Sequence, residues 1–154
     1  MNPEAKIVSS DTRPARRVLG VAVDVYLTGD DTNGQYTAYR CTVPPQAGPP
    51  PHHHDTFDEA FYVVSGTVEI QIGSETQIAG PGTYVFIPRG TPHTFRNVGA
   101  NDAQFLGTAT PAGHEAFFEE AEFLADAGPL TIPDAIALCR RHGIEIAPPP
   151  VAAG

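Results

Sequence analysis

The sequence predicts an all-β domain, a barrel or sandwich of short strands, followed by two short helices. Three observations carry this expectation. Apolar and polar residues alternate over several short stretches, the period of a strand with one buried face. Turn signals separate those stretches, and the 154 residues include 15 Gly and 16 Pro. After Pro111-Ala112-Gly113 the apolar spacing switches to the helical period.

In chain order, residues 1–16 are expected to be a flexible N-terminal segment, 17–112 the β domain, 113–146 a helical extension and 147–154 a disordered tail. From Val18 to Leu27 the residues Val21, Val23, Val25 and Leu27 alternate as in a half-buried strand. Thr28 to Gly34 reads as a turn, with Asn33-Gly34 suited to positive φ. Tyr36 to Val43 is the next strand, with Tyr39, Cys41 and Val43 on one face, and it ends at Pro44-Pro45. Beyond a proline-rich loop come Glu59 to Val64, a Ser65-Gly66 turn, Val68 to Ile72 and a Gly73-Ser74 turn. Thr76–Ala79, Thr83–Ile87, Pro92–Asn97 and Ala103–Thr108 supply further strands. In HEAFFEEAEFLADAG, Phe117, Phe118, Ala121 and Leu124 share a helical face, and Gly128 suits the end. In TIPDAIALCRRHG, Thr131 suits a cap and Pro133 the first turn, with Arg140 and Arg141 near the C-terminus.

Composition excludes some functions. A formal net charge of −9 opposes binding to nucleic acid or to an anionic membrane surface. The cluster Arg13, Arg16 and Arg17 is too short to reverse that judgement. Cys41 and Cys139 form no metal or disulfide pattern and read as reduced, buried thiols. The N-terminus has no apolar leader, and Asp24 interrupts the run VLGVAVDVYL, so a cytoplasmic protein is expected. A chain of this length buries a core without metal staples, so any metal it holds is expected to be functional.

The stretch PPPHHHDTFDE, Pro49 to Glu59, concentrates the chemistry. In an extended segment His52 and His54 share a face while His53 points away. Glu59 enters the next strand, and a fourth donor is available from His93 in PRGTPHTFRN. Taken singly, the triple histidine reads equally as a solvated loop and His93 as a satisfied strand histidine. Together they form a constellation, because an antiparallel barrel brings two turn-flanked strands side by side.

These two stretches resemble the paired motifs of the cupin superfamily. Gly82-TYVFI-Pro88-R-Gly90-TP-His93-TFR-Asn97 fits G-x5-P-x-G-x2-H-x3-N at every fixed position, and His52-H-His54-DTFD-Glu59-AFYVVS-Gly66 fits H-x-H-x4-E-x6-G. One departure is that Gly48 stands closer to the first histidine than the family's leading glycine does. PPxHxH, DEAFYVVSG and the helical tail look similar to compact bacterial single-domain cupins of the quercetin dioxygenase-like kind. The resemblance implies a cupin double-stranded β-helix, a jelly-roll barrel, with two short C-terminal helices. It places His52, His54, Glu59 and His93 on the metal ligands of a divalent transition ion: Fe, Ni, Mn, Zn or Cu. Gly66, Gly82 and Gly90 are expected in turns, Pro88 at a strand end, and Asn97 bonded to turn backbone. His53 and Asp58 are expected to face outward, and His114 and His142 to serve helix ends or the surface.

With Glu59 and His93 inward, as the resemblance implies, strand parity turns Phe61 and Val63 inward with Glu59 and Phe95 with His93, and the face of Val68, Ile70 and Ile72 is expected inward as well. These side chains line an apolar cavity suited to a planar aromatic or polyketide-like molecule, or else they fill a small barrel. The expected function is a metal-dependent enzyme acting on a small aromatic or enol substrate, in its most concrete form a quercetinase-like dioxygenase with Glu59 as catalytic base. Lewis-acid cyclisation or isomerisation of a polyketide, and a non-catalytic small-molecule-binding role, are the alternatives. Cupins often pair through sheet edges, so a homodimer is expected. The helical tail covers the barrel mouth or packs on its side.

Overall fold

A computed structural model describes residues 2–10 and 15–147. The disordered tail expected over 147–154 lies, from residue 148 on, outside the described residues, as does Arg13. Among the described residues eleven strands and three helices follow one another: β1 (Arg16–Val18), β2 (Val21–Leu27), α1 (Gly29–Thr32), β3 (Thr37–Val43), β4 (His52–His54), β5 (Asp58–Ser65), β6 (Val68–Ile72), β7 (Glu75–Ala79), β8 (Tyr84–Ile87), β9 (His93–Asn97), β10 (Ala103–Thr110), α2 (His114–Ala127), α3 (Ile132–Arg141) and β11 (Ile144–Ile146). They form two antiparallel sheets, of order β1-β2-β3-β10-β5-β8 and β11-β4-β9-β6-β7. This is the jelly roll that the resemblance implied, within the all-β class that the alternation predicted, with non-consecutive strands meeting in both sheets.

Period-two patterning sets the core. In β3 the residues Thr37, Tyr39, Cys41 and Val43 are buried, and in β5 the inward residues are Glu59, Phe61 and Val63. Phe105 of β10 lies between them in the same sheet, and Val68 and Ile70 of β6 join the core from the other sheet. Gly66, Gly82 and Gly90 stand in the turns as expected, with φ of 86°, 92° and 80°. Both cysteines are buried and free.

The helices close one end. His114, Phe117, Phe118 and Ala121 form the buried stripe of α2, at the i, i+3, i+4, i+7 spacing of one helical face. Thr131 caps α3 in a capping box with Asp134, and Leu138 and Cys139 are its buried residues. Glu120 of α2 accepts from Arg141 at 2.6 Å and lies 2.5 Å from His142 Nε2, which ties the two helices together. Arg16 and Arg17 pair with Glu122 and Asp126 of α2, so that part of the basic cluster is used within the fold. Among the described residues no helix is long and apolar enough to cross a membrane.

Two segments differ from expectation. Thr28 to Gly34 is not a bare turn: it holds α1, whose Asp31 carboxylate accepts from the Thr28 backbone N–H at 2.9 Å while Asn33 takes the left-handed conformation at φ 55°. Residues 144–146, expected within the helical extension, are a strand. Gly143 turns the chain at φ 71°, and Ile144 and Ile146 then pair with His54 and His52 of β4. An Ile-Glu-Ile triplet has the strand period, but it is too short to declare itself without its partner.

Candidate metal centre

Three histidines meet where β4 crosses β9. The register sets His52 directly opposite His93, and the pleat puts His54 on the same face as His52. All three are buried. Their ring centroids lie 4.4 Å (His52–His93), 4.8 Å (His54–His93) and 4.9 Å (His52–His54) apart.

The preceding loop fixes this arm. Gln46 N–H donates to the Asn97 carbonyl at 2.8 Å, Asn97 N–H to Ala47 at 3.0 Å, and the Thr94 hydroxyl to Pro49 at 2.6 Å. Gly48 is indispensable to this approach, since a Cβ there would fall 1.9 Å from the Phe95 carbonyl oxygen. The glycine that departs from the usual spacing therefore still lets the loop lie against β9. Pro49, Pro50 and Pro51 have no N–H to satisfy, which suits an arm held by its flanks. Asn97, wholly buried, donates to the carbonyls of Val43 and Asn101 at 2.8 and 2.7 Å and accepts from Gly99 at 2.8 Å, the turn-bonding role expected of it.

The tautomers suit a cation. His52 Nδ1 lies 2.9 Å from the Pro50 carbonyl and His93 Nδ1 lies 2.9 Å from that of Thr91. A carbonyl only accepts, so Nδ1 carries the proton and Nε2 presents its lone pair inward. The Nε2 atoms of His52 and His54 are 3.1 Å apart, within the roughly 3.0–3.4 Å separation of two nitrogens on one ion about 2.1 Å away. His93 Nε2 is buried without a hydrogen-bond partner among the described residues. Burial lowers all three pKa values, to about 4 for His52, further for His54, and below the ordinary value for His93. They are thus neutral at neutral pH, as ligands must be. The cluster is able to hold a metal ion.

Glu59 stands beside the cluster. One carboxylate oxygen lies 3.8 Å from His93 Nε2, and the other accepts the Tyr39 hydroxyl at 2.5 Å. Burial pushes its pKa up to about 7, against the lowering effect of the Tyr39 bond. The same carboxylate raises the Tyr39 pKa further, after burial.

A cavity of about 160 Å³ opens from this polar corner between the sheets and α2, with walls that include Tyr39, Phe95, Phe105, Phe117 and Phe118. Helix α2 therefore packs over the barrel mouth. His53 and Asp58 face outward, as expected, bonded to Asp55 at 2.8 Å and to Arg89 at 2.9 and 3.1 Å. His142 serves the helix end.

His114 does not serve a helix end alone. It is buried in the cavity wall with Nε2 3.9 Å from Glu59, its ring 4.3 Å from that of Phe118 and 4.5 Å from that of Phe57. Burial lowers its pKa to about 3. Tyr39 is a second close neighbour of Glu59, and its place on the apolar face of its strand does not single it out in the sequence. A signal for it was Gly107 inside a strand, which marks a close approach by a neighbour.

Fold and site together define a jelly-roll protein whose buried histidine cluster can hold a metal ion. Residues 39–108 match the family described as Cupin domain. That match spans a little under half of the chain and, with the shared jelly-roll fold, supports a place in the cupin superfamily. It is similar to the polyketide cyclase RemF from Streptomyces resistomycificus, with 26% identity and a TM-score of 0.62 over 70% of this chain and 80% of that one. KdgF from Halomonas sp. shares the fold at 18% identity and a TM-score of 0.66, over 73% of this chain and 99% of KdgF. A predicted oxalate decarboxylase from Thermotoga maritima shares it at 18% identity and a TM-score of 0.64, over 69% and 99%. An uncharacterized protein of Streptomyces coelicolor is 35% identical over 54 residues, which are 35% of this chain and half the length of that protein.

Proposed function

We propose that this protein is a metal-dependent enzyme that transforms a small aromatic or enolic molecule, with His52, His54 and His93 holding the ion and Glu59 accepting a proton. The observation that carries this reading is the convergence of three neutral imidazoles with one buried carboxylate at the end of an apolar cavity. Fe, Ni, Mn, Zn or Cu suits such a donor set. When bound, the metal supplies Lewis-acid polarisation of a substrate oxygen. The cavity walls hold the ring and exclude water, and Glu59 takes the proton of the enol or phenol. Burial raises its pKa to about 7 in the metal-free protein, and the charge of a bound cation lowers it again, which keeps the carboxylate an anion able to take that proton at neutral pH. The enclosed volume matches one aromatic ring, since a cavity of about 150 Å³ holds benzene. A larger substrate extends through the mouth.

Between redox and non-redox chemistry, the likeness to a polyketide cyclase favours cyclisation or isomerisation. Dioxygenation in the quercetinase manner is the second reading. Metal-loaded protein is incubated with a panel of phenols, flavonols and polyketide-like enols, with and without O2. Equal product formation under strict anaerobiosis supports the first reading, while an absolute requirement for O2 supports the second. Saturable binding without turnover of any member assigns a binding role instead.

For assembly we propose a homodimer built on the outer face of the six-stranded sheet. Tyr62, Val64, Tyr84, Phe86 and Leu106 are exposed there, in rows set by the register Leu106–Tyr62–Tyr84. Bordering charges pair off, Asp24 with Arg40 and Asp58 with Arg89, so two copies of net charge −9 can meet on an uncharged surface. Sedimentation of the double variant Tyr84→Ser/Phe86→Ser is expected to show monomer where the natural protein shows dimer. A natural protein that sediments as monomer rules the dimer out.

A further inference from the structure

Glu59 sits close to the histidines yet apart from them. The ligand nitrogens of His52, His54 and His93 all lie within 4.8 Å of one another, and the Glu59 carboxylate is not in that group. Oε1 of Glu59 comes within 3.8 Å of His93 Nε2, but the carboxylate does not close on the cluster as the three imidazoles do.

Tyr39 is what holds it there. Its hydroxyl donates to Oε2 of Glu59 at 2.5 Å, which leaves Oε1 facing His93 Nε2 at 3.8 Å. The phenol ring has no freedom to withdraw. It is 2% exposed and packs edge-on against Phe118 at 5.1 Å and His114 at 5.7 Å. Its other side lies on Gly107 of β10, directly opposite in register. A Cβ at Gly107 would come within 2.4 to 2.8 Å of three of its ring and hydroxyl atoms. The missing side chain is thus the space the ring occupies.

We propose that Tyr39 is a positioning residue that withholds Glu59 from the metal, so that the ion is bound by three histidines and the carboxylate stays free as the proton acceptor. Gly107 makes that position available. In the transfer step a substrate O–H bond breaks, an Oε1–H bond forms, and the negative charge passes to the substrate oxygen. Oε2 keeps its bond to Tyr39 throughout. No oxidant or reductant is consumed. The proposal rests on the reading of the histidine cluster as a metal site.

Cobalt(II) loaded into the purified protein reports its own ligands in the visible spectrum, independently of turnover. Glu59→Gln is expected to keep the natural spectrum and to bind cobalt within threefold of the natural affinity. Tyr39→Phe, which keeps the ring and loses only the hydroxyl, releases the carboxylate toward the ion. Its spectrum shifts and its cobalt affinity rises about tenfold. The double variant Tyr39→Phe/Glu59→Gln returns to the natural spectrum, which a general packing defect at Tyr39 would not do. A changed spectrum in Glu59→Gln alone, or an unchanged one in Tyr39→Phe, overturns the proposal while leaving the metal site standing. Failure of the natural protein to bind cobalt, or binding unaffected by His54→Ala, overturns the metal reading and the proposal with it.

Discussion

His53 and His54, Asp58 and Glu59, Val63 and Val64 are three pairs of like side chains one residue apart, and the members of each pair face different surroundings. His54, Glu59 and Val63 point into the sandwich at 3%, 8% and 0% exposure. Their neighbours face out: His53 onto Asp55, Asp58 onto Arg89, and Val64 into solvent. Bonds to Arg89 hold the Asp58 pKa down, whereas burial drives that of Glu59 up to about 7. Strand parity, not residue type, decides which carboxylate has its pKa lowered at the surface and which has it raised by burial.

Substitutions of matched pairs test that contrast. His54→Ala is expected to weaken metal affinity by more than about 100-fold, since loss even of a residue that only orients a ligand costs 10–100-fold. His53→Ala on the outer face is expected to change it less than twofold, and competition with a chromophoric chelator measures both. Val63→Ala is expected to cost about 2–3 kcal/mol in urea unfolding, the lost transfer energy plus a cavity. Val64→Ala, the same chemical change on the other face, is expected to stay within about 0.5 kcal/mol.

Acid separates the two faces more gradually. In the metal-free protein His52, His54, His93 and His114 have pKa values below the free value of 6.5, at about 4 for His52 and about 3 for His114. Between pH 6.5 and 4 the unfolded chain therefore binds more protons, and stability falls as pH falls. The slope is up to about 1.4 kcal/mol per pH unit for each such histidine. Glu59 acts oppositely, because its raised pKa contributes stability that is present below 4.5 and lost as pH rises through 7. Four groups against one leave a net loss on acidification, read as a falling urea midpoint between pH 7 and 5. A flat midpoint contradicts this burial pattern. Asp58→Asn, the smallest of these changes, is expected to leave metal content as it was.

Much of this was legible in the sequence because one rule, alternation, fixes both the strands and the face of each residue. That His52 goes with His54 and Glu59 with Phe61 follows from it directly, while the inward direction of these residues and of His93 comes from the resemblance to the cupin motifs. Contacts between residues of non-consecutive elements do not follow from alternation. Tyr39 reads as one more apolar position on its strand, and only the register Tyr39–Gly107–Phe61 reveals that it lies within reach of Glu59. His114 shares its helical stripe with Phe117 and Phe118, yet the stripe does not say what it will cover. Strand β11 is three residues long, and its partner lies far back in the chain.

The pairing of β11 with β4 also sets an order of events. A nascent chain makes the histidine arm early and the strand that flanks it late, so until residues 144–147 emerge, β4 has a neighbour only on its β9 side. Only then do the Gly143 carbonyl receive the Asp55 N–H and the Ala147 N–H reach the Pro51 carbonyl, one tie beyond each end of the arm. Closure of the site is thereby coupled to docking of the segment after α3, and any cation enters a pocket whose last wall comes from a strand far along the chain from the histidines it covers.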